Sequence, residues 1–489
     1  MVASSLPLIA GAVSVDRPLP DDALITLTFA KNIIDGNGWV FNQPPPVLGT
    51  TTPAFTLAIA AISSTLGGAP TTVAVWTSAV AWLLTAWLPL LFRRALRLTS
   101  LQAALIGLSI IAGGAVDYLG MESAVFCLVL LLTVALRQRG TITAAGLAAG
   151  TLFLIRGEGI LLPAILGSSA VLGELRGCDR GLFGEPTWPG TSVRFTAAAA
   201  VPILAWSVYA LPTFGSILPN TLAAKLAQSS SGVWKPFGAR LVEEFLPSWA
   251  GRLSLSALPW FGFWAVLVLV GIGVALAVHR ALAPLPVWAV AYTTGYAALG
   301  VAGYHWYRLP LDFVGSVMFG LGLGWGIERV ARTTRSRIAP LLLTAATIGL
   351  LAWDASSVVA RIESPRESAK EQTYRQLAAW LEEHGTPGAR VAHIEVGYLG
   401  YYTSLGIVDL VGLVSPEVTD DVARGVFSAG FWSRLPEYLV YVEGSRFYNG
   451  IIGDPRFVRF YAPLVDAGTV DDEGTELILF ARRSVVEPD

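Results

Sequence analysis

The sequence predicts a polytopic α-helical membrane protein that ends in a small soluble α/β domain. The chain has 489 residues, of which 54% are hydrophobic and 14% are charged, whereas soluble domains carry about a quarter charged residues. Apolar runs near the roughly 20 residues needed to cross a bilayer recur as far as residue 356. Beyond about residue 361 the chain becomes charged and its apolar runs become short, which is typical of a separate soluble domain.

About eleven membrane spans are predicted within a transmembrane domain that covers residues 1–360. The first is shorter than a full crossing and lacks the basic start of a signal peptide. In chain order the predicted spans are 1–15, 71–92, 100–116, 121–136, 142–155, 158–175, 195–212, 258–279, 283–302, 308–328 and 338–356.

Arginine placement predicts the orientation of these spans. Arginines follow the second, fourth, sixth, eighth and tenth spans, and positively charged loops face the cytoplasm. The stretch Ala54–Leu66 cannot cross without breaking this alternation, so we expect an amphipathic helix at the outer interface. The first outer loop, 16–70, four further loops and the C-terminal domain then lie outside the plasma membrane. The cytoplasmic arginines are Arg93, Arg94, Arg97, Arg137, Arg139, Arg176, Arg180, Arg280, Arg329, Arg332, Arg335 and Arg337.

The C-terminal segment, 361–489, is predicted to be an extracytoplasmic α/β domain. A helix is expected at Glu367–His384. Strands bounded by glycine, proline and charge are expected at Arg390–Glu395, Gly406–Leu410, Tyr438–Val442 and Leu477–Ala481. Such a domain could bind an acceptor glycan or simply brace the outer loops.

Several function classes find no support in the sequence. A net charge of −2 gives no reason to expect nucleic-acid binding. Cys127 lies in an apolar run and Cys178 in a polar loop, so neither a disulfide nor cysteine metal-ligand spacing is indicated. The glycines of the first loop follow no strand and therefore form no dinucleotide fingerprint. A divalent metal is possible on the carboxylates of the outer loops, although no ligand spacing predicts one.

Two adjacent carboxylates, Asp21 and Asp22, open the first outer loop and are the candidate catalytic residues. They follow Pro20 and precede a helical stretch, so one interpretation is helix capping. The other is general-base catalysis, because neighbouring carboxylates in a desolvated site raise each other's pKa. One residue could cap while the other reacts.

Cations in three further outer loops could bind a phosphate. Lys225 is one of four lysines in the chain and follows the run Pro219-Asn220-Thr221. It could snorkel to bulk lipid, or together with Arg156 and Arg308 it could hold a phosphate ester.

Other polar residues of these loops have an equally balanced interpretation. His305, between Tyr304 and Trp306, could belong to an aromatic belt or donate to a phosphate. Glu122 and Glu158 could bind substrate or pair with the cations. Asn220, Thr221, Tyr304 and Trp306 are likewise candidates for substrate binding or for structural roles.

The segment DDALITLTFAKNIIDGNGWVFN…VLGTTTPAF resembles the first outer loop of the GT-C superfamily of membrane glycosyltransferases. Further matches follow in the family's order: GMESAVF, IRGEG, PNTLAAK, HWYRLPL and VAHIEVGYLGYYTSLGIVDLVGLVSPE. The resemblance extends over essentially the whole chain. The chain is most similar to actinobacterial arabinofuranosyltransferases that use decaprenyl-phosphate arabinofuranose, and more distantly to protein mannosyltransferases and aminoarabinose transferases.

The resemblance implies a polyprenyl-phosphate sugar donor, a glycan, lipid or protein acceptor reached from outside, and inversion at the anomeric carbon. Asp21 or Asp22 would act as base and Lys225 would face the donor phosphate. The competing hypothesis is a polyprenyl-lipid or glycolipid transporter or flippase. That class predicts ionisable residues near span midpoints and repeat symmetry, whereas the charges here gather near one interface.

Overall fold

The computed structural model describes residues 19–42, 46–113, 118–251, 263–334, 366–470 and 474–486, with isolated residues between 338 and 349. In chain order the α-helices before residue 335 are α1 Asp21–Ile34, α2 Pro53–Leu66, α3 Pro70–Leu91, α4 Ser100–Ala112, α5 Ser123–Arg139, α6 Ile142–Ile155, α7 Leu161–Leu175, α8 Thr191–Phe214, α9 Asn220–Ser230, α10 Phe237–Arg240, α11 Leu246–Gly251, α12 Phe263–Ala277, α13 Pro284–Leu299 and α14 Leu309–Thr333. Short 3₁₀ turns at Gly157–Ile160, Arg280–Leu282 and His305–Arg308 and a π turn at Leu241–Phe245 join some of them.

Membrane helices are confirmed, but the number eleven stays a prediction. Among the described residues, four helical stretches are long and apolar enough to cross a bilayer: Pro70–Leu91, Gly157–Leu175, Thr191–Phe214 and His305–Thr333. Two further helical stretches, Trp264–Ala277 and Arg280–Leu299, meet at an angle of 108°. They give a fifth candidate span if the bent pair counts as one. The predicted first span and most of the last lie outside the described residues.

Glycines let the membrane helices approach closely. Gly150 of α6 lies against the Ala199 backbone of α8, and Gly271 of α12 lies against Met318 of α14, in both cases with no room for a Cβ atom. Small residues at such contacts are the usual means by which membrane helices pack. The packed bundle supports the loops that carry the polar motifs.

The C-terminal segment contains the predicted sheet and one strand more. Its helices are α15 Arg366–His384, α16 Val396–Tyr402, α17 Thr419–Ala423, α18 Ala429–Arg434, α19 Asn449–Ile452, α20 Pro455–Phe460 and α21 Arg483–Val486, and its strands are β1 Arg390–His393, β2 Gly406–Asp409, β3 Tyr438–Val442, β4 Tyr461–Thr469 and β5 Glu476–Arg482. The sheet order is β2-β1-β3-β5-β4, and β1 pairs in parallel with both β2 and β3.

The unpredicted strand β4 forms an antiparallel edge next to β5. Pro463 and two register irregularities interrupt its alternation of apolar and polar residues. Such interruptions are typical of edge strands, and they explain why the sequence pattern does not reveal this one.

Hydrogen bonds from the first loop and from α9 join this domain to the membrane bundle. The Asn42 amide nitrogen donates to the Ile407 carbonyl and the amide oxygen accepts from the Ile407 N–H, both at 2.8 Å, which covers the free edge of β2. The Leu19 backbone donates to Glu371 at 2.7 Å, and the Asn220 amide donates to the Gly412 carbonyl at 2.8 Å. The sheet is thereby held next to the polar loops.

Candidate active site

Three connected spaces lie between the first loop, α9, the His305–Arg308 turn and the C-terminal domain. We call them the domain-side chamber (380 Å³), the neck (40 Å³) and the membrane-side chamber (350 Å³). Asp22 lines the first two spaces, Lys225 and Glu122 line the last two, and Trp306 borders all three. Of the two predicted catalytic acids, Asp22 therefore shares the neck with the predicted lysine, whereas Asp21 lines the domain-side chamber alone.

The two aspartates have different surroundings. Neither caps its own helix α1. Asp21 accepts a hydrogen bond from the Tyr398 backbone at 2.8 Å, and Gly397 lies directly on the Asp21 carbonyl, so Asp21 holds α16 against α1. Asp22 faces both the neck and the domain-side chamber.

Both aspartates carry a raised pKa. Burial is the largest cause for each. Nearby Glu395 and Asp22 raise the pKa of Asp21 further. For Asp22, Glu122 and Glu395 add to the increase, while Lys225 opposes it. A carboxylate with a raised pKa is a stronger base than an ordinary one.

Lys225 projects from α9 into an aromatic enclosure. Its Nζ lies 5.0 Å from the ring centre of Tyr304, 5.7 Å from that of Trp306 and 5.2 Å from that of Tyr307, and the residue is 9% exposed. Burial disfavours its charge, but Tyr307 and Asp22 outweigh this effect and raise the pKa of Lys225. It therefore carries a fixed positive charge where the neck meets the membrane-side chamber.

Several threonines also line the neck. The hydroxyls of Thr26, Thr50 and Thr52 lie 3.1–3.5 Å from one another. Thr221, on α9 one turn before Lys225, is 5% exposed, and its Oγ1 has no hydrogen-bond partner among the described residues. A buried hydroxyl without a partner is costly, so a bound group is a natural recipient of its hydrogen bond.

Arg156 is held by carboxylates. Its guanidinium contacts Glu122 at 2.9 Å and Glu158 at 2.5 Å, and it donates to Ser123 at 3.0 Å. The Tyr296 hydroxyl donates to the other Glu158 oxygen at 3.0 Å. Arg156 still lines the membrane-side chamber. Its positive charge, however, is paired with the negative charges of Glu122 and Glu158.

Four other predicted site residues, Arg308, His305, Asn220 and Tyr304, do not line the neck. Arg308 bonds Asp312 at 3.1 Å and Ser248 at 2.8 Å, and it lines none of the three spaces. His305 is exposed and lines the domain-side chamber, whereas Lys225 lines the neck and the membrane-side chamber. Asn220 secures the C-terminal domain, as described above. Tyr304 and Trp306, whose rings stack at 4.5 Å, separate the two chambers.

A buried polar network of the C-terminal domain also reaches the domain-side chamber. Glu395 follows the carboxyl end of β1, contacts the Lys370 ammonium at 2.5 Å and accepts a hydrogen bond from Tyr374 at 2.6 Å. His393, fully buried, bonds Tyr374 at 2.8 Å and Tyr448 at 2.9 Å. Neither Glu395 nor Lys370 is among the site residues predicted from the sequence. The available signal was the position of Glu395, because ligands bind outside the carboxyl ends of parallel strands.

A larger cavity, of 780 Å³, lies beside this site. It is lined by Asn42, Asn220, Arg390 and Arg434 among others, and shares four wall residues with the membrane-side chamber, but it contains neither aspartate nor Lys225. Within the described ranges, no three or more histidine, cysteine, aspartate or glutamate side chains are grouped so that they could hold a metal ion.

Comparisons with known proteins identify the fold. ArnT from Cupriavidus metallidurans, solved bound to undecaprenyl phosphate, matches with a TM-score of 0.60 and 16% identity over 97% of this chain and 96% of ArnT. Its apo state matches with a TM-score of 0.62 at 14% identity, over 100% of this chain and 98% of ArnT. The Archaeoglobus fulgidus oligosaccharyltransferase, solved with zinc and sulfate, gives 0.57 and 12% over 98% of this chain and 72% of that one.

The chain therefore has the fold of the GT-C membrane glycosyltransferases along nearly its whole length. A family model described as a domain of unknown function, DUF8728, matches residues 362–477. Comparison with curated protein sequences found no match.

Proposed function

We propose that the protein is an inverting glycosyltransferase that moves a sugar from a polyprenyl-phosphate donor to a hydroxyl of a cell-envelope acceptor on the extracytoplasmic face. The observation that carries the proposal is the neck, where Asp22 and Lys225 face each other between two chambers of different character. A base and a phosphate-binding cation on either side of one small space are what such a displacement needs.

The membrane-side chamber suits the lipid donor. Leucine, isoleucine and aromatic residues form most of its wall, and its polar end carries Lys225, which it shares with the neck. A polyprenyl chain would lie along the apolar wall with its phosphate at Lys225. The undecaprenyl phosphate bound to ArnT supports this class of ligand, because the two proteins share their fold.

The phosphate site we propose differs from the one expected from the sequence. Lys225 supplies the charge and Thr221 a hydrogen bond. Arg156, already paired with two glutamates, holds the wall in place and does not bind the phosphate directly. Arg308 and His305 are left out of the phosphate site because of where they lie.

Asp22 acts as the general base in the proposed reaction. The acceptor oxygen attacks the anomeric carbon, its proton passes to Asp22, and the bond from that carbon to the phosphate oxygen breaks. The phosphate monoester leaves with the electron pair and needs no acid, since Lys225 balances its charge. Attack from the side opposite the phosphate inverts the anomeric configuration. Asp21 positions the domain instead of reacting, since its oxygen accepts from the Tyr398 backbone.

The test uses purified protein in vesicles with synthetic undecaprenyl-phosphate sugars, a pentofuranose and a hexose, and extracted envelope glycans as acceptor. Release of undecaprenyl phosphate is measured. We expect Asp22→Asn to reduce release by about 10²–10⁴-fold, the usual contribution of a general base, while Asp21→Asn keeps most of it. Full activity of Asp22→Asn would overturn the assignment, and movement of intact donor across the vesicle without release would favour a flippase.

A further inference from the structure

We propose that the C-terminal domain positions the acceptor through Glu395, and that the acceptor group entering the domain-side chamber is a hydroxyl-rich carbohydrate without negative charge. The inference rests on the proposed function, because it assigns to the acceptor the chamber on Asp22's side of the neck. It makes the domain a part of the substrate site and not only a brace for the loops.

Both parts of the protein build this chamber. The first loop contributes Asp21 and Asp22, the membrane bundle contributes His305 and Trp306, and the C-terminal domain contributes residues that include Lys370 and Glu395. Its volume, 380 Å³, lies within the range of small-ligand pockets. Removing either part would leave the chamber open, so the docked domain is needed for an enclosed acceptor site.

Both aromatic rings and carboxylate oxygens line the chamber. Trp306 stacks on Tyr304 at 4.5 Å, and Trp234 packs on Phe447 at 4.8 Å. Sugar rings present apolar C–H faces that suit aromatic surfaces and hydroxyl edges that donate to carboxylates. An acyl chain would leave these acceptors without donors.

Glu395 is held in one orientation by its own domain. Lys370 contacts one carboxylate oxygen and Tyr374 the other, and buried His393 supports Tyr374 from behind. About 30% of the Glu395 side-chain surface is still accessible, and each carboxylate oxygen can accept more than one hydrogen bond. Glu395 can therefore receive substrate hydroxyls without losing its supports, which is what a positioning residue requires.

The charges of the chamber disfavour an anionic acceptor. Asp21, Asp22 and Glu395 contribute three carboxylates against the single ammonium of Lys370. A phosphate or a second carboxylate placed there would meet like charges in a space partly shielded from water, where such repulsion is strong. Glu395 also raises the pKa of Asp22, so acceptor positioning and base strength are coupled through one side chain.

Saturation-transfer NMR on the full-length protein in nanodiscs tests the inference with three probes: methyl α-arabinofuranoside, methyl α-mannopyranoside and mannose 6-phosphate. We expect at least one neutral glycoside to bind and the phosphate to give no signal. Glu395→Gln should weaken neutral binding about tenfold or more. The matched control is Glu443→Gln, an exposed glutamate of the same domain that lines none of the three spaces.

Further readouts keep the inference separate from the proposed function. Undecaprenyl-phosphate binding should be unchanged in Glu395→Gln, and in the release assay the acid limb of kcat/KM should move to lower pH. If Glu395→Gln does not fold, Lys370→Met is measured instead, because the Lys370 side chain is partly exposed. Preference for mannose 6-phosphate, or equal neutral binding in the variants and the control, would overturn the inference. A wild-type protein that does not bind undecaprenyl phosphate would instead contradict the proposed function.

Discussion

The hydroxyl of Thr221 offers a perturbation with opposite effects in the empty and the loaded protein. Its Oγ1 is buried at the neck with no hydrogen-bond partner among the described residues. Valine has nearly the same shape but no hydroxyl, so Thr221→Val removes a polar atom and creates no cavity. We propose that the donor phosphate accepts this hydrogen bond when it is bound.

Two free energies set the size of these effects: the cost of a buried hydroxyl without a hydrogen bond, and the stabilisation from a hydrogen bond to a charged phosphate. Leaving a buried hydroxyl unpaired costs about 1–3 kcal/mol. The neck, at 40 Å³, has room for a water that would relieve part of this cost. Thr221→Val should therefore leave the empty protein as stable as wild type or more stable. A hydrogen bond to a charged group contributes about 1.5–3 kcal/mol, so undecaprenyl phosphate should bind about ten- to a hundredfold more weakly.

Thermal unfolding in nanodiscs, with and without undecaprenyl phosphate, measures both effects in one experiment. The ligand-induced rise in Tm should shrink in Thr221→Val, while the Tm without ligand should not fall. The control is Thr133→Val on α5, where a fully buried hydroxyl donates to the Val129 carbonyl at 2.7 Å. That variant should be slightly less stable with an unchanged ligand response. A Thr221→Val protein that is destabilised yet binds the lipid normally would refute the reasoning.

Three further predictions concern the base and the C-terminal domain. Burial and Glu122 raise the pKa of Asp22, so activity should be lost as the pH falls through a value above the ordinary aspartate range. Glu122→Gln should shift this acid limb of the kcat/KM profile to lower pH. An acid limb that does not move would exclude Asp22 as the titrating base. Asn42→Ala removes both bonds to Ile407 and should cost about 1–3 kcal/mol, seen as faster hydrogen exchange along β2; unchanged exchange would show that these bonds do not hold the edge. Burial lowers the pKa of His393 to about 4, below its unfolded value of about 6.5, so the neutral ring stabilises the fold above about pH 6.5. Acidification towards pH 4 should lower the free energy of unfolding by about 3 kcal/mol. His393→Gln should flatten this pH dependence of Tm.

The sequence predicts the membrane helices and the sheet where the apolar pattern is regular. The predicted span 71–92 agrees closely with α3, which is long enough to cross a membrane, and the predicted strand Tyr438–Val442 coincides with β3. The bounds 142–155 coincide with α6, a shorter apolar helix. The interrupted edge strand β4 is missing from the predictions, since Pro463 and its irregular register erase the alternation. The number of spans depends on 1–15 and 338–356, most of which lie outside the described residues.

At the site, residue type was predictable but pairing was not. Asp22 and Lys225 stand out as charges next to apolar runs, and the structure brings them to one neck. Nothing in the sequence distinguishes an arginine already bound by two glutamates, as Arg156 is, from one available to a phosphate. Glu395 lies within a predicted strand, and only the parallel pairing of β1 places it at a ligand-binding edge.

The most direct test of the proposed transfer is mass spectrometry of lipid-linked sugars and envelope glycans in cells whose only copy of the protein is wild type or Asp22→Asn. We predict that Asp22→Asn cells accumulate one polyprenyl-phosphate sugar and lack that sugar at the corresponding position of an envelope glycan, lipid or protein. Identical profiles in the two cell lines, with both proteins present in the membrane at equal levels, would contradict the account.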